Sequence, residues 1–401
     1  MTSRTIFRNA RIITPFRIIN NGSLLVEEGE IAAIEQGDVI RAHDNDRVID
    51  VNGLFLSPGF IDTHTHGAGD ADFCDGSVEA VIQVCRTHLA HGTTSIMPTS
   101  TSCPDEELYT FLDVVSKATK VAEHMPDIIG IHLEGPYFSP HQSMAQDPRF
   151  IKNPDPAEYE RLFERCPLIK KWSAAPELPG GLEFGRWLRE NGIVASIGHS
   201  NAVYDEVVLA VENGYSVVTH HFNGMSRLTR KNAVMYLGVA ESALVLDDLN
   251  VEIIADGNHL PLPLLKLIYK NKGSDKICLI TDSMRAAGMD VKGSIIGSKA
   301  TGQKVDIEDG VAYMPDRSSF AGSIATTDRL VRTMHCMAGI PLVEAVKMMT
   351  ITPARIQRVD DRKGSLGVGK DADIIVFDEN IKTKLVMVMG NVWVNEFGCN
   401  D

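Results

Sequence analysis

The sequence predicts an α/β fold: a (β/α)8 barrel of TIM type with a small β-sandwich domain contributed by both chain termini. Three observations predict it. Between Gly59 and about residue 350, eight short β-branched runs alternate with helical patterns. Those runs are apolar on both faces, as strands are in a parallel sheet covered by helices. Outside that zone the texture changes to short strands punctuated by Gly and Asn.

Taken in order, Thr5–Ile13, Gly22–Glu27, Ile31–Glu35, Val48–Asp50 and Leu54–Leu56 read as strands of a small antiparallel sheet. The eight barrel runs are Phe60–His64, Thr93–Thr99, Ile128–Glu134, Ile169–Glu177, Ile193–His199, Ser216–Phe222, Val251–Gly257 and Ile277–Ser283. Helices are expected between them at Ser77–His91, Asp105–His124, Pro156–Cys166, Gly181–Asn191, Ala202–Asn213 and Pro261–Asn271. Eight such units fit a barrel over residues 58–350. After about Ile351, two strands follow, Ala372–Asp378 and Lys384–Val394, with Gly390-Asn391 as a tight turn inside the second. Neither terminal group is large enough to fold alone. Residues 1–57 and 351–401 are therefore expected to pair into one domain that the barrel interrupts.

The 401 residues are 44% hydrophobic and 23% charged, which excludes wholesale disorder. A net charge of −14, with no basic run longer than two, argues against nucleic acid or an anionic membrane as partner. No stretch approaches the ~18 to 20 apolar residues of a membrane span, and the polar N-terminus lacks the apolar centre of a signal peptide. Seven scattered cysteines, none in a C-x-x-C pair, argue for a reducing compartment and against a disulfide frame. A cytoplasmic enzyme is the expectation.

The chemistry gathers at the C-terminal ends of the predicted barrel strands, where such barrels build their sites. Of 13 histidines, six lie there: His64, His66, His199, His220, His221 and His259. His64 and His66 close the first strand, and residues two apart on a strand share a face, so both rings can reach one metal ion. H-x-H alone is common by chance; the preceding Pro58-Gly59-Phe60-Ile61-Asp62 strengthens it. Glu134 ends a buried run and needs a compensating positive charge, from a metal or from Lys or Arg. His132 has the parity of Glu134 and reads as a packed histidine beneath it. Alternation turns His220 inward and leaves His221 flanking. Asp282 is placed to carry a proton opposite a metal-bound water, or else to cap the following helix. Gly364-Ser365-Leu366-Gly367-Val368-Gly369-Lys370-Asp371 nearly spells a phosphate loop, but Asp371 replaces the hydroxyl residue and a strand follows where a helix is needed.

With those residues in place, the chain resembles the amidohydrolase superfamily, and within it the N-acetylglucosamine-6-phosphate deacetylase family, over nearly its whole length. The superfamily marks are Pro58–Asp62 with His64-x-His66 and the tail Gly364-Ser365-Leu366-x-x-Gly369-Lys370-Asp371-Ala372-Asp373. His132-Leu133-Glu134-Gly135-Pro136, Gly198-His199-Ser200, Thr219-His220-x-x-Asn223-x-Met225, Ala255-Asp256-Gly257-x-His259, Thr281-Asp282 and Ala321-Gly322-Ser323 narrow it. The resemblance implies Glu134, His199 and His220 as ligands of a principal divalent metal. Zn comes first, with Fe, Co or Mn as alternatives. It implies His64 and His66 as ligands of a second ion in members that keep both, so one or two ions per subunit. It implies Asp282 as general acid and base, with Asn223, Gly224 and His259 on a sugar phosphate and Phe320 near the acetyl group. Where many members carry Gly-Ala-His, this chain has Ser143-Met144-Ala145-Gln146, so Gln146 takes the substrate-contacting place without a charge. The family's phosphate arginine comes from a neighbouring subunit. Arg227, Arg230 and Lys231 compete for that role here; Arg230 fits best and would require a homodimer.

The expected reaction is hydrolysis of the N-acetyl group of an amino-sugar 6-phosphate. Its rivals are deacetylation of a galacto or unphosphorylated sugar, and opening of an N-acyl amino acid or cyclic amide. Cyclic-amide members carry a modified lysine on the fourth strand, but Lys170 and Lys171 sit at that strand's N-terminal end. A metal-free sugar-phosphate binding protein is the rival from another class.

Overall fold

The computed structural model describes residues 4–121 and 125–397. Its fold is α/β, organised around a curled parallel sheet. The predicted end of the second helix, residues 122–124, and Cys399 lie outside the described residues. Eight core strands follow one another in sequence: Phe60–Thr65, Thr93–Pro98, Ile131–Glu134, Ile169–Ala174, Val194–Ile197, Tyr215–Val218, Asn250–Ile253 and Ile277–Leu279. The first two pair in parallel, and strands three to eight form one continuous parallel ladder. Strand two meets strand three through a parallel bridge between Thr99 and His132. Strand eight approaches strand one where the Asp282 N–H donates to His64 O at 2.9 Å.

The helices between these strands begin and end where local chemistry dictates. Ser77 accepts from the Ala80 N–H and starts Val78–Ala90, whose buried Val81, Val84, Cys85, His88 and Leu89 form one stripe at helical spacing. Asp155 caps Pro156–Arg165 in the same way, with Pro156 opening the first turn. Beneath the helices, Trp172 of strand four stacks on Tyr137 at 5.7 Å and meets Phe184 edge-on at 5.1 Å. All three rings are fully buried.

Strands from the two ends of the chain share one eight-stranded sheet. Phe55–Pro58 lies between Arg4–Ile13 on one side and Ile374–Phe377 on the other. The sheet is mixed, not antiparallel: Arg4–Ile13 pairs in parallel with both Arg47–Asp50 and Phe55–Pro58. Residues 37–46 are long enough to carry the chain across and reverse its direction. The last predicted strand is two, Thr383–Val388 and Asn391–Asn395. The turn falls one residue earlier than expected, at Met389-Gly390, both in the left-handed region at φ 46° and 80°.

Several elements were not expected, among them the helices Val239–Val245, Thr327–Arg332, Leu342–Lys347 and Ile351–Ile356, the last of which lies where the β domain was expected to resume. Residues 293–323 form a four-stranded antiparallel sheet inserted after core strand eight. A second insertion, the hairpin Thr229–Lys231 and Val234–Tyr236, follows core strand six. Among the described residues, no helix is long and apolar enough to cross a membrane. The six described cysteines are unpaired.

Candidate metal centre and active-site cleft

Core strands five, six and eight end two to three residues before His199, His220 and Asp282. The sequence reading carried strand alternation through these residues, and the structure corrects it. All three take left-handed backbone, with φ of 46°, 30° and 44°. Such conformations cost non-glycine residues on the order of 1 kcal/mol or more and persist only where the surroundings fix them. Here the chain turns sharply off each strand and aims the side chain inward over the sheet. Strand three is also interrupted: Gly130, at φ 156°, separates Asp127–Ile128 from Ile131–Glu134. Glu134 is then the last residue of its strand.

Six side chains converge on a few ångströms. Glu134 Oε1 lies 3.0 Å from His220 Nε2, 3.3 Å from His199 Nε2 and 3.5 Å from His64 Nε2. Glu134 Oε2 lies 3.4 Å from His66 Nε2. Asp282 Oδ1 is 3.4 Å from His64 Nε2 and 3.2 Å from His66 Nε2. The Nε2 atoms of His64 and His66 are 3.2 Å apart, as are those of His199 and His220. Two overlapping groups, His64–His66–Glu134 and Glu134–His199–His220, each bring three ligand atoms within 4.8 Å of one another. Four imidazole nitrogens and two carboxylates facing inward form the donor set of a divalent cation, and a buried carboxylate between them suits a shared ligand.

Hydrogen bonds on the far side of two rings fix their orientation. His199 Nδ1 donates to Gln142 O at 2.8 Å and His220 Nδ1 to Asn223 O at 3.0 Å, which aims each Nε2 at Glu134. Burial pushes Glu134 up, but His64, His199, His220 and His66 outweigh it and hold the carboxyl well below its usual range. Asp282 behaves alike: burial opposes ionisation, and His64 with His66 prevails. Burial draws His66 down, yet the Asp282 hydrogen bond and Glu134 carry it to about 9. Both carboxylates are therefore ionised at neutral pH.

A cleft open to solvent lies above these residues. Asn223, Gly224, His259 and Phe320 line it. His259 is anchored by Asp256, whose Oδ2 accepts from Nδ1 at 2.8 Å, and its ring lies 4.6 Å from that of Phe320. Asn223 Nδ2 is buried without a partner. Gln146 also lines the cleft, but its amide is committed: Oε1 accepts from the Ser102 N–H at 2.8 Å, and Nε2 donates to Glu134 Oε2 at 2.7 Å. Arg230 is not brought to this cleft. It sits exposed on the 229–236 hairpin, beside exposed Val234, Met235 and Tyr236. No lysine or arginine stands among the described residues lining the cleft, which do include Glu107 and Asp147.

His132 lies outside the ligand groups, bonded through Nε2 to Ser173 Oγ at 2.8 Å and through Nδ1 to Thr99 Oγ1 at 3.3 Å. His221 faces away and meets Ala240 O at 2.7 Å. Sequence reasoning missed Lys171 and Glu252, a wholly buried ion pair beneath His64. The available signal was Lys171 itself, a charge inside a buried strand run at the parity of Ser173.

Comparison with known proteins agrees over the full length. The chain is 31% identical to an N-acetylglucosamine-6-phosphate deacetylase of Lysinibacillus sphaericus, covering 97% of each chain. It is 28% identical to an N-acetylgalactosamine-6-phosphate deacetylase of Escherichia coli O157:H7, over 96% of this chain and 98% of the relative. The solved N-acetylglucosamine-6-phosphate deacetylase of Pasteurella multocida superposes with a TM-score of 0.90 at 31% identity, over 98% of this chain and 100% of the other. The Amidohydrolase family model matches residues 55–396, which include every converging side chain described above, and the chain thus belongs to the amidohydrolase family.

Proposed function

We propose that the protein hydrolyses the N-acetyl group of N-acetylglucosamine-6-phosphate, giving acetate and glucosamine-6-phosphate. The observation that carries this reading is the convergence of His64, His66, His199 and His220 on Glu134, with Asp282 at 3.2 Å and 3.4 Å from two of the rings. The full-length likeness to deacetylases of that sugar supports the substrate. Glu134, His199 and His220 hold the principal ion, and His64 and His66 with Glu134 hold a second. Zinc suits this nitrogen-rich set best. A bound divalent ion supplies a Lewis acid and a nucleophile available at neutral pH. Asp282 takes the proton released as water attacks the acetyl carbonyl. It then delivers that proton to the sugar nitrogen as the C–N bond breaks, so one carboxylate serves as base and then acid. Asn223 and Gly224 donate amide N–H groups to the sugar phosphate, His259 contacts the same ligand, and Phe320 borders the acetyl methyl. Gln146, held by Ser102, keeps Glu134 oriented while facing substrate.

The eight core strands act as a closed (β/α)8 barrel over 58–350, and the shared sheet as the small β-sandwich domain of 1–57 and 351–401. The cleft's want of a cation supports a homodimer in which Arg230 reaches the phosphate of the partner's substrate. Six unpaired cysteines suit a cytoplasmic setting. The galacto epimer is the second reading, favoured by the E. coli relative. The deciding experiment measures acetate release from the gluco and galacto 6-phosphates and from the unphosphorylated sugar, with metal content determined on the same sample. Fastest turnover of the gluco phosphate by metal-loaded protein supports the proposal. Equal rates on the unphosphorylated sugar, or full activity without metal, reject it.

A further inference from the structure

His199 and His220 each have a backbone carbonyl to receive the Nδ1 proton; His64 does not. Its Nδ1 is fully buried and has no hydrogen-bond partner. The atom facing it is Glu252 Oε2, 3.8 Å away, and that oxygen is partnerless too. Two unsatisfied polar atoms opposed across a wholly buried gap are one small ring rotation from a hydrogen bond.

The other carboxylate oxygen of Glu252 is fully engaged. Lys171 Nζ donates to Oε1, and Thr63 Oγ1 donates to it at 3.2 Å. Lys171 Nζ also reaches Thr63 O at 3.4 Å, tying the pair to the strand that carries His64. The Glu252 backbone carbonyl accepts from the His221 N–H at 2.6 Å, tying it to the strand beside His220. Glu252 is thus clamped by Lys171, Thr63 and the His221 N–H with one oxygen left free, and that oxygen points at His64.

We propose that Glu252, held by Lys171, is a positioning residue for His64: Oε2 accepts a hydrogen bond from Nδ1–H, which keeps the proton on Nδ1 and leaves the Nε2 lone pair turned toward Glu134, His66 and Asp282. With the proton on Nε2 instead, that N–H would fill the space a second ion needs. This rests on the reading of His64 and His66 as a second metal pair. The role is selective, because His199 and His220 have their own carbonyl partners.

The test is a titration of metal-free protein with Zn(II) against a chelating dye, with bound metal counted. Wild type should take up two ions. Removing Glu252 alone would strand a buried ammonium, so Lys171→Met/Glu252→Leu removes both charges together. Glu252→Asp is the second variant; it keeps the charge for Lys171 but withdraws the carboxylate from His64. Both variants should hold the first ion with affinity within about threefold of wild type and the second roughly 10- to 100-fold more weakly, the range for a lost outer hydrogen bond to a ligand. Unchanged second-ion affinity in a folded variant overturns the role of Glu252. Equal weakening of both ions shows a merely structural role and overturns it as well. A wild type that takes up only one ion defeats the two-ion reading itself, a result distinguishable from the others.

Discussion

Asp282 sits in left-handed backbone, half-buried against two histidines and held ionised by them. Asp282→Asn keeps the volume and removes the proton acceptor. The expected result is a fall in kcat of about 10²- to 10⁴-fold with metal content unchanged; near-native turnover would assign proton transfer elsewhere. Gly224 is constrained by a different neighbour. Its φ is 54°, and an added Cβ would stand 2.9 Å from His199 Nδ1. Gly224→Ala should therefore displace that ring and weaken the principal ion about tenfold or more, read by metal titration of a folded variant. His88 offers a pH prediction. It is buried between Thr65 and Ser283, and burial first, with nearby His91, lowers its pKa to about 3. Below the ordinary 6.5 the unfolded chain binds a proton that the folded chain refuses, so stability falls as pH drops from 6.5 toward 3, by about 1.4 kcal/mol per unit at most. His88→Gln should make the loss between pH 6.5 and 4.5 shallower by one proton in denaturant melts. Most converging residues were legible because each closes a buried strand run. Lys171, Glu252 and His88 were not, since a charged or polar residue inside a strand or helix gives no hint of which distant element will meet it.

The 229–236 hairpin and the 293–323 sheet are the elements that sequence patterning handled least well. The second has glycines at 293, 297 and 302 and strands such as Gln303–Glu308 that are mostly exposed or half-buried. It shows neither a continuous apolar run nor a clean alternation, so periodicity could not find it. The eight core strands were found because burial on both faces forces β-branched runs. The first hairpin carries its own prediction. Arg230→Ala should raise KM for the phosphorylated sugar and spare the unphosphorylated one, since it removes binding rather than chemistry. On the proposal that each cleft takes its arginine from the other chain, mixed dimers of Arg230→Ala and Asp282→Asn chains should regain one working site. No recovery under demonstrated subunit exchange would confine Arg230 to its own chain.

At the scale of the molecule, both ends of the chain are bound into one sheet. Ile374–Phe377 covers the open side of Phe55–Pro58 through four paired residues. Lys363, fully buried, is bonded to Asp373 at 2.8 Å and to Asp127 at 3.1 Å, which locks the sheet onto the core. Truncation after residue 371 should therefore yield insoluble protein, assayed by the soluble fraction on expression. A soluble, metal-binding truncate would show that the core stands without its closing strands. The pairing of the two ends was legible in outline, since neither group of short strands could bury a core alone. Its register was not, because parallel and antiparallel partners draw on the same residue types.

This shared sheet also sets a timetable during synthesis. Phe55–Pro58 leaves the ribosome about 320 residues before Ile374–Phe377, an interval of about 16 to 60 s at ~5 to 20 residues per second. Throughout it, one row of backbone N–H and C=O groups stands open to any extended segment nearby, including the same strand of the next nascent chain on the message. Synthesis of Ile374–Phe377 thus ends the interval in which that edge is open to its neighbours.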